Sequence, residues 1–226
     1  MSLSETLRDD CAAAWQGLHE HPFIGELAAG TLAPERFRFY CEQDLFFLPE
    51  LARAVAIGAS RSDEPELRHF ADELVAVVGR ELENQRLLLH RVVELGAADR
   101  GGSTCAAPAC VAYGGFLVAT AARGGALELM AALLPCTWSY ADIAVALRDR
   151  IAPHPVYAGW VGFFADPDYV ELIAGRRATL DRLADGISER RRRRLSEIFT
   201  ASTRLERRFW DMSYDFVQWP DLKGAA

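Results

Sequence analysis

Leu133-Leu134-Pro135-Cys136-Thr137-Trp138-Ser139-Tyr140 (LLPCTWSY) sits near the middle of an apolar run that begins at Ala126. The spacing predicts a helix from Ala126 to about Ile151, and on a helix Tyr140 stacks beside Cys136 on one face. Pro135 removes a backbone donor, frees a carbonyl about one turn earlier and bends the axis just before the thiol. A lone cysteine in such a run is ordinarily a small buried hydrophobe. What gives Cys136 another meaning is the set of reactive groups elsewhere in the chain.

Outward from that stretch, the composition is that of a helix former. Half of the 226 residues are hydrophobic. Ala, Leu, Arg and Glu dominate and β-branched residues are few, so we expect an all-α chain with one core, residues 1–226 forming a single domain. The net charge of −7 argues against general nucleic-acid affinity. Five cysteines (Cys11, Cys41, Cys105, Cys110 and Cys136) are odd in number, scattered, and contain no C-x-x-C pair. Neither a disulfide framework nor a zinc site is expected, and a reducing cytoplasm fits. The opening MSLSETLRDD is charged where a signal peptide needs an apolar centre, so secretion is not expected. Gly101 to Ala122 carries no charge and has the length of a membrane span, but its glycines, Pro108 and small residues point instead to a helix buried on all sides of a bundle.

In chain order, Ser4 is a candidate cap for a helix to about His19, and Pro22 opens a short helix that Gly30 closes. Pro34 begins a long helix to about Ser60 in which Phe37, Tyr40, Cys41, Asp44, Phe47, Leu48 and Leu51 recur at steps of three and four. Asp44 therefore lies on an apolar face, and Pro49 is expected to kink the helix beyond it. Asp63-Glu64-Pro65 opens a helix that reaches Leu95, Pro108 opens one to Arg123, and HPVYAGWVGFF forms a shorter one. Asp166-Pro167 starts another to about Ala184, and Ser188 caps a last long helix to about Phe216.

Three helices thus each carry one reactive group on an apolar face: Asp44, Cys136, and Glu206 with Phe209 and Trp210 one turn on. A carboxylate on an aromatic face is expensive to bury charged, so it must be partnered, protonated or wet, and each state can tune it for proton transfer. The five arginines from Arg190 to Arg194 spread around a helix and read as a solvated surface. Glu66 and His69 make one E-x-x-H, whereas a di-iron site needs two and further carboxylates, so no metal is expected.

These segments resemble the TenA, or thiaminase II, family. The resemblance runs through HPFIGELAAGTLAPERFRFYCEQDLFFL, APACVAY, AALLPCTWSY with HPVYAGWVGFF, and ERRFWDMSY, in that order. It implies a haem-oxygenase-like helical bundle and hydrolysis of aminopyrimidines without a cofactor. The substrate it implies is 4-amino-5-aminomethyl-2-methylpyrimidine or thiamin, and the product is 4-amino-5-hydroxymethyl-2-methylpyrimidine. It also implies roles for Asp44, Cys136 and Glu206 in catalysis, for Tyr113, Tyr140 and Phe209 in the pocket, and a homotetramer with no membrane or nucleic-acid partner. Phe47 and Phe164 stand where many members carry tyrosine, which keeps the ring contacts and removes two hydroxyls. Two other readings keep the helices and change what they do. One is a bundle binding a flat cofactor or quinone through a histidine such as His19, and the other is a non-catalytic regulatory bundle.

Overall fold

The computed structural model describes residues 2–102 and 104–222, and among them there is no strand. The chain forms α1 (Leu3–Asp10), α2 (Ala12–His19), α3 (Pro22–Ala29), α4 (Pro34–Ala59), α5 (Glu64–Ala76) and α6 (Leu82–Glu94). There follow α7 (Pro108–Arg123), α8 (Ala126–Leu147), α9 (Tyr157–Phe164), α10 (Pro167–Leu183) and α11 (Glu189–Asp215). The core runs through the bundle from Leu3 and Leu7 to Trp210 and Met212.

Most helix ends follow the local chemistry. Prolines open α3, α4, α7 and α10, where the missing donor costs nothing, and Gly30 closes α3 in the left-handed region at φ 70°. Ser188 caps α11 by accepting from Arg191 N–H. The first helix differs from expectation. Ser2, not Ser4, is its cap, in a capping box with Glu5. Ser4 is instead buried, its N–H 2.6 Å from Asp181 on α10. The helix also breaks at Cys11, so α1 and α2 are separate segments. The helix expected from Glu64 to Leu95 carries a π turn at Val77–Glu81 between α5 and α6, and the Cys136 helix ends at Leu147.

Two helices form the framework of the interior. α4 lies against α5, α6 and α7, while α8 lies against α10 and α11. α8 is the only described helix long and apolar enough to span a membrane, and most of it is buried in protein. It is α8, not α7, that is covered nearly all round: α7 buries Cys110, Tyr113, Gly114, Leu117 and Ala121 and exposes Val111. Both α4 and α8 run on through their prolines, Pro49 and Pro135. At Gly58 the α4 backbone approaches the side chains of Leu129 and Phe70 so closely that an added Cβ would collide with them.

The loop before α7 is tied to α4 by Gln43, which is fully buried. Its Nε2 donates to the carbonyls of Gly102 (2.7 Å) and Cys105 (3.1 Å), and its Oε1 accepts from Ala107 N–H (2.7 Å). Near the C-terminus, Trp219 Nε1 donates to Ala106 O at 2.9 Å and Gln218 Nε2 to Gly101 O at 3.0 Å. These bonds satisfy backbone groups that a loop over the core would otherwise leave unpaired.

Candidate active site

Asp44 from α4, Cys136 from α8 and Glu206 from α11 come together in the interior. Glu206 is 1 % exposed and Cys136 9 %, while Asp44 is half-buried. Their charges act on one another: Glu206 and Asp44 both raise the Cys136 pKa, and Glu206 raises that of Asp44.

Burial is the main cause of every shift here. It pushes Glu206 from its ordinary 4.5 up to about 7, against the Tyr113 and Tyr140 hydroxyls and the Cys136 thiol, which favour the charged form. Glu206 Oε2 is nonetheless buried without a hydrogen-bond partner. Burial also raises Asp44 well above its ordinary 3.8, reinforced by Glu81 and Glu206. The Cys136 thiol is likewise raised well above 9.0, by burial and then by Glu206, Glu81 and Asp44, with Arg176 pulling the other way. At neutral pH the thiol therefore keeps its proton, and it becomes a nucleophile only by giving that proton to a base. Glu206, poised near 7, is the base at hand.

Aromatic rings wall this centre. Phe47 packs on Tyr113 at 4.7 Å and on Phe209 at 5.6 Å between ring centroids. Phe164 meets Tyr140 at 4.9 Å, edge to face, and Tyr140 stacks on Trp210 at 5.1 Å. Tyr113 is held in place by a short relay: its hydroxyl lies 3.0 Å from Ser202 Oγ, which donates to Ala132 O at 2.6 Å. All eight residues singled out in the sequence thus lie in or against one cluster. Tyr40, whose hydroxyl accepts from Trp160 Nε1 at 3.2 Å, joins its two halves by packing on both Phe209 and Trp210.

Two further charged residues of the cluster were not foreseen, Glu81 and Arg176. Glu81 ends the π turn, is 7 % exposed, and has Oε1 buried without a partner. Its signal was present in the sequence: Phe70, Leu74, Val77, Glu81, Gln85, Leu88 and Val92 recur at steps of three and four, which puts an acid on an apolar stripe. Arg176 on α10 is 4 % exposed and pairs with Glu73 at 2.6 Å.

Features that the sequence left outside the candidate site lie elsewhere. Trp138 and Asp142 are on the opposite face of α8 from Cys136 and Tyr140, and it is with Trp15 and Asp142 that His19 keeps company. His19 is therefore not at the cluster. Arg191 to Arg194 are ion-paired with Glu128, Glu189 and Glu197 on the surface. Arg207 and Arg208 turn away from Glu206 to Asp211. His69 lies beside Glu73, not Glu66, and no group of three metal-ligating side chains occurs among the described residues.

The family profile described as TENA/THI-4/PQQC matches residues 8–216. The chain belongs to that family. Among its members, the aminopyrimidine aminohydrolase of Halalkalibacterium halodurans is 31 % identical over 226 residues, covering 97 % of this chain and 98 % of the relative. The TenA homologue of P. horikoshii OT3 superposes with a TM-score of 0.84 at 32 % identity, over 95 % of this chain and 99 % of that one. Haem oxygenase from Leptospira interrogans shares the fold alone, with a TM-score of 0.61 at 15 % identity over 93 % and 98 % of the two chains. The TenA resemblance and the all-α, haem-oxygenase-like architecture read from the motifs are thereby borne out.

Proposed function

We propose that this TenA family member is an aminopyrimidine aminohydrolase of the thiaminase II type, a hydrolase that replaces the amine of 4-amino-5-aminomethyl-2-methylpyrimidine by hydroxyl and serves thiamin salvage. The observation that carries this reading is the convergence of Cys136, Glu206 and Asp44 inside an aromatic cluster, in a chain that aligns end to end with a relative named for that activity.

Direct displacement by water at the exocyclic carbon is slow because neither partner is activated, and covalent addition divides the barrier. Glu206 takes the proton of the Cys136 thiol as the sulfur bonds to a ring carbon, and returns it to a ring nitrogen. The electron pair released into the ring then expels the amine, which is protonated at neutral pH, as ammonia and leaves an exocyclic methylene. Water adds there, the S–C bond breaks as the ring nitrogen gives up its proton, and the proton lost by water restores the thiol through Glu206. A pKa of about 7 suits a group that must both accept and donate at neutral pH.

Asp44, held neutral by burial and by Glu81 and Glu206, offers one O–H donor and one carbonyl acceptor. That pair complements a ring nitrogen beside a 4-amino group, and an aminopyrimidine lacking either contact leaves a buried group unpaired at about 1–3 kcal/mol. Phe47, Phe164 and Phe209 supply the apolar walls for the ring, and Tyr113 and Tyr140 orient Glu206. The five free cysteines fit a reducing cytoplasm. The exposed Leu67, Val75 and Val78 supply an apolar face for the homotetramer that the family resemblance implies.

Purified protein incubated with the aminomethylpyrimidine, and separately with thiamin, tests this reading by release of the hydroxymethylpyrimidine. Turnover of the aminomethyl compound supports it. A folded protein that turns over neither compound refutes it.

A further inference from the structure

The interior around Cys136 holds more acid than base. Asp44, Glu73, Glu81 and Glu206 all carry raised pKa values, and the buried cation among them is Arg176. Arg176 pairs with Glu73 at 2.6 Å and also acts on Glu81, one cation against four acids, and His69 beside Glu73 is held neutral by burial and by Arg176 and Arg182. Arg80 acts on Glu81 only from the surface, where it faces Asp166 at 4.0 Å. Burying carboxylates with too few cations is costly, so a site of this charge favours a ligand that brings a positive charge of its own.

The mechanism gives neither Glu73 nor Glu81 a contact with the substrate; Glu73 is paired with Arg176, which leaves Glu81. The π turn Val77–Glu81 inserts one residue into the helix, and Glu81 at its end is buried. π turns are uncommon and recur at functional sites. The Tyr169 hydroxyl on α10 donates to the Glu81 carboxylate, leaving Oε1 unpartnered, and its ring packs on Phe164 at 5.3 Å, which in turn packs on Tyr140. Glu81 acts electrostatically on both Asp44 and Cys136, and its Oε1 is buried with no partner.

The substrate of the proposed reaction has the charge this site lacks, because a primary alkylamine is protonated at neutral pH, as lysine is. We infer that the Glu81 carboxylate, buried with one oxygen unpartnered, is the subsite for a cationic leaving group. It accepts hydrogen bonds from the ammonium of the aminomethyl substituent and keeps that nitrogen protonated until the C–N bond breaks. The bonding electron pair then departs on a nitrogen that already carries three protons, and ammonia leaves neutral. This inference rests on the aminopyrimidine reading and adds to it a residue that discriminates between leaving groups.

The test compares two pyrimidines that differ only in the substituent, aminomethyl and hydroxymethyl, one cationic and one neutral. Their dissociation constants are measured by calorimetry at pH 7 on the Cys136→Ala protein, which leaves the aminomethyl compound intact, and on the same protein with Glu81→Gln. With Glu81 present the aminomethyl compound binds about tenfold or more tightly than the hydroxymethyl one. With Glu81→Gln that preference falls to within about twofold, because the lost charge acts on the cationic substituent alone, whereas any change at Asp44 acts on both compounds alike. A preference that survives the substitution, or is absent beforehand, overturns the inference. Binding of neither compound to the Cys136→Ala protein removes the aminopyrimidine reading itself. Where Gln disturbs the interior so that the hydroxymethyl compound is lost too, Glu81→Met, which has similar volume and no polar group to satisfy, gives the same comparison.

Discussion

Glu206→Gln is expected to make the protein more stable at alkaline pH and less active. Burial raises the Glu206 pKa from 4.5 to about 7, so the folded state binds this proton more tightly than the unfolded state does. Below 4.5 both states are protonated and the residue is neutral in each. Between 4.5 and 7 the unfolded chain releases the proton while the folded protein keeps it, and stability falls as pH rises. Above 7 the full penalty applies, roughly 3 kcal/mol at about 1.36 kcal/mol for each tenfold change in proton affinity. Glutamine is neutral throughout and nearly isosteric. Urea denaturation at equal protein concentration is therefore expected to show the variant within about 1 kcal/mol of the parent at pH 5, and more stable by up to about 3 kcal/mol at pH 8.5. Turnover is expected to fall by about 10²- to 10⁴-fold, since in the proposed mechanism Glu206 is the base for Cys136. The same stability difference at both pH values, or a variant less stable at pH 8.5, would refute the assignment of a burial-strained carboxylate to Glu206.

Tyr113→Phe removes a hydroxyl that favours the charged form of Glu206. The Glu206 pKa then rises further, and the acidic limb of the kcat/KM profile moves to higher pH; an unmoved limb would show that Glu206 is not the titrating base. Gly58→Ala brings a Cβ against Leu129 and the Phe70 ring, both almost fully buried, and should lower stability by about 1–3 kcal/mol in chemical denaturation despite alanine's better helix propensity.

The helices were legible because each is marked at its ends and along its face. Prolines stand at the first positions of α3, α4, α7 and α10, Gly30 closes α3, and the three-four stripe of α4 includes Asp44. The start of the chain misled because Ser2 and Ser4 are equivalent as caps in sequence. Only the tertiary bond from Ser4 to Asp181 takes the second out of play. The π turn was invisible because a single inserted residue leaves the three-four pattern readable on both sides of it. At the site, Asp44, Cys136 and Glu206 stood out as reactive groups on apolar faces. Glu81 lies on such a face as well but among many acids of a charged helix, and Arg176 became meaningful only once α10 was packed against α8 and Glu73.

The role of Cys136 is tested most directly by the split between chemistry and binding in Cys136→Ala. In the proposed mechanism sulfur is required for covalent addition, whereas Asp44 and the aromatic walls hold the ring. Hydrolysis of 4-amino-5-aminomethyl-2-methylpyrimidine should fall by about 10³-fold or more, with the dissociation constant of the pyrimidine unchanged within about threefold. Turnover that persists in the variant, or a loss of binding equal to the loss of turnover, would contradict nucleophilic catalysis by Cys136.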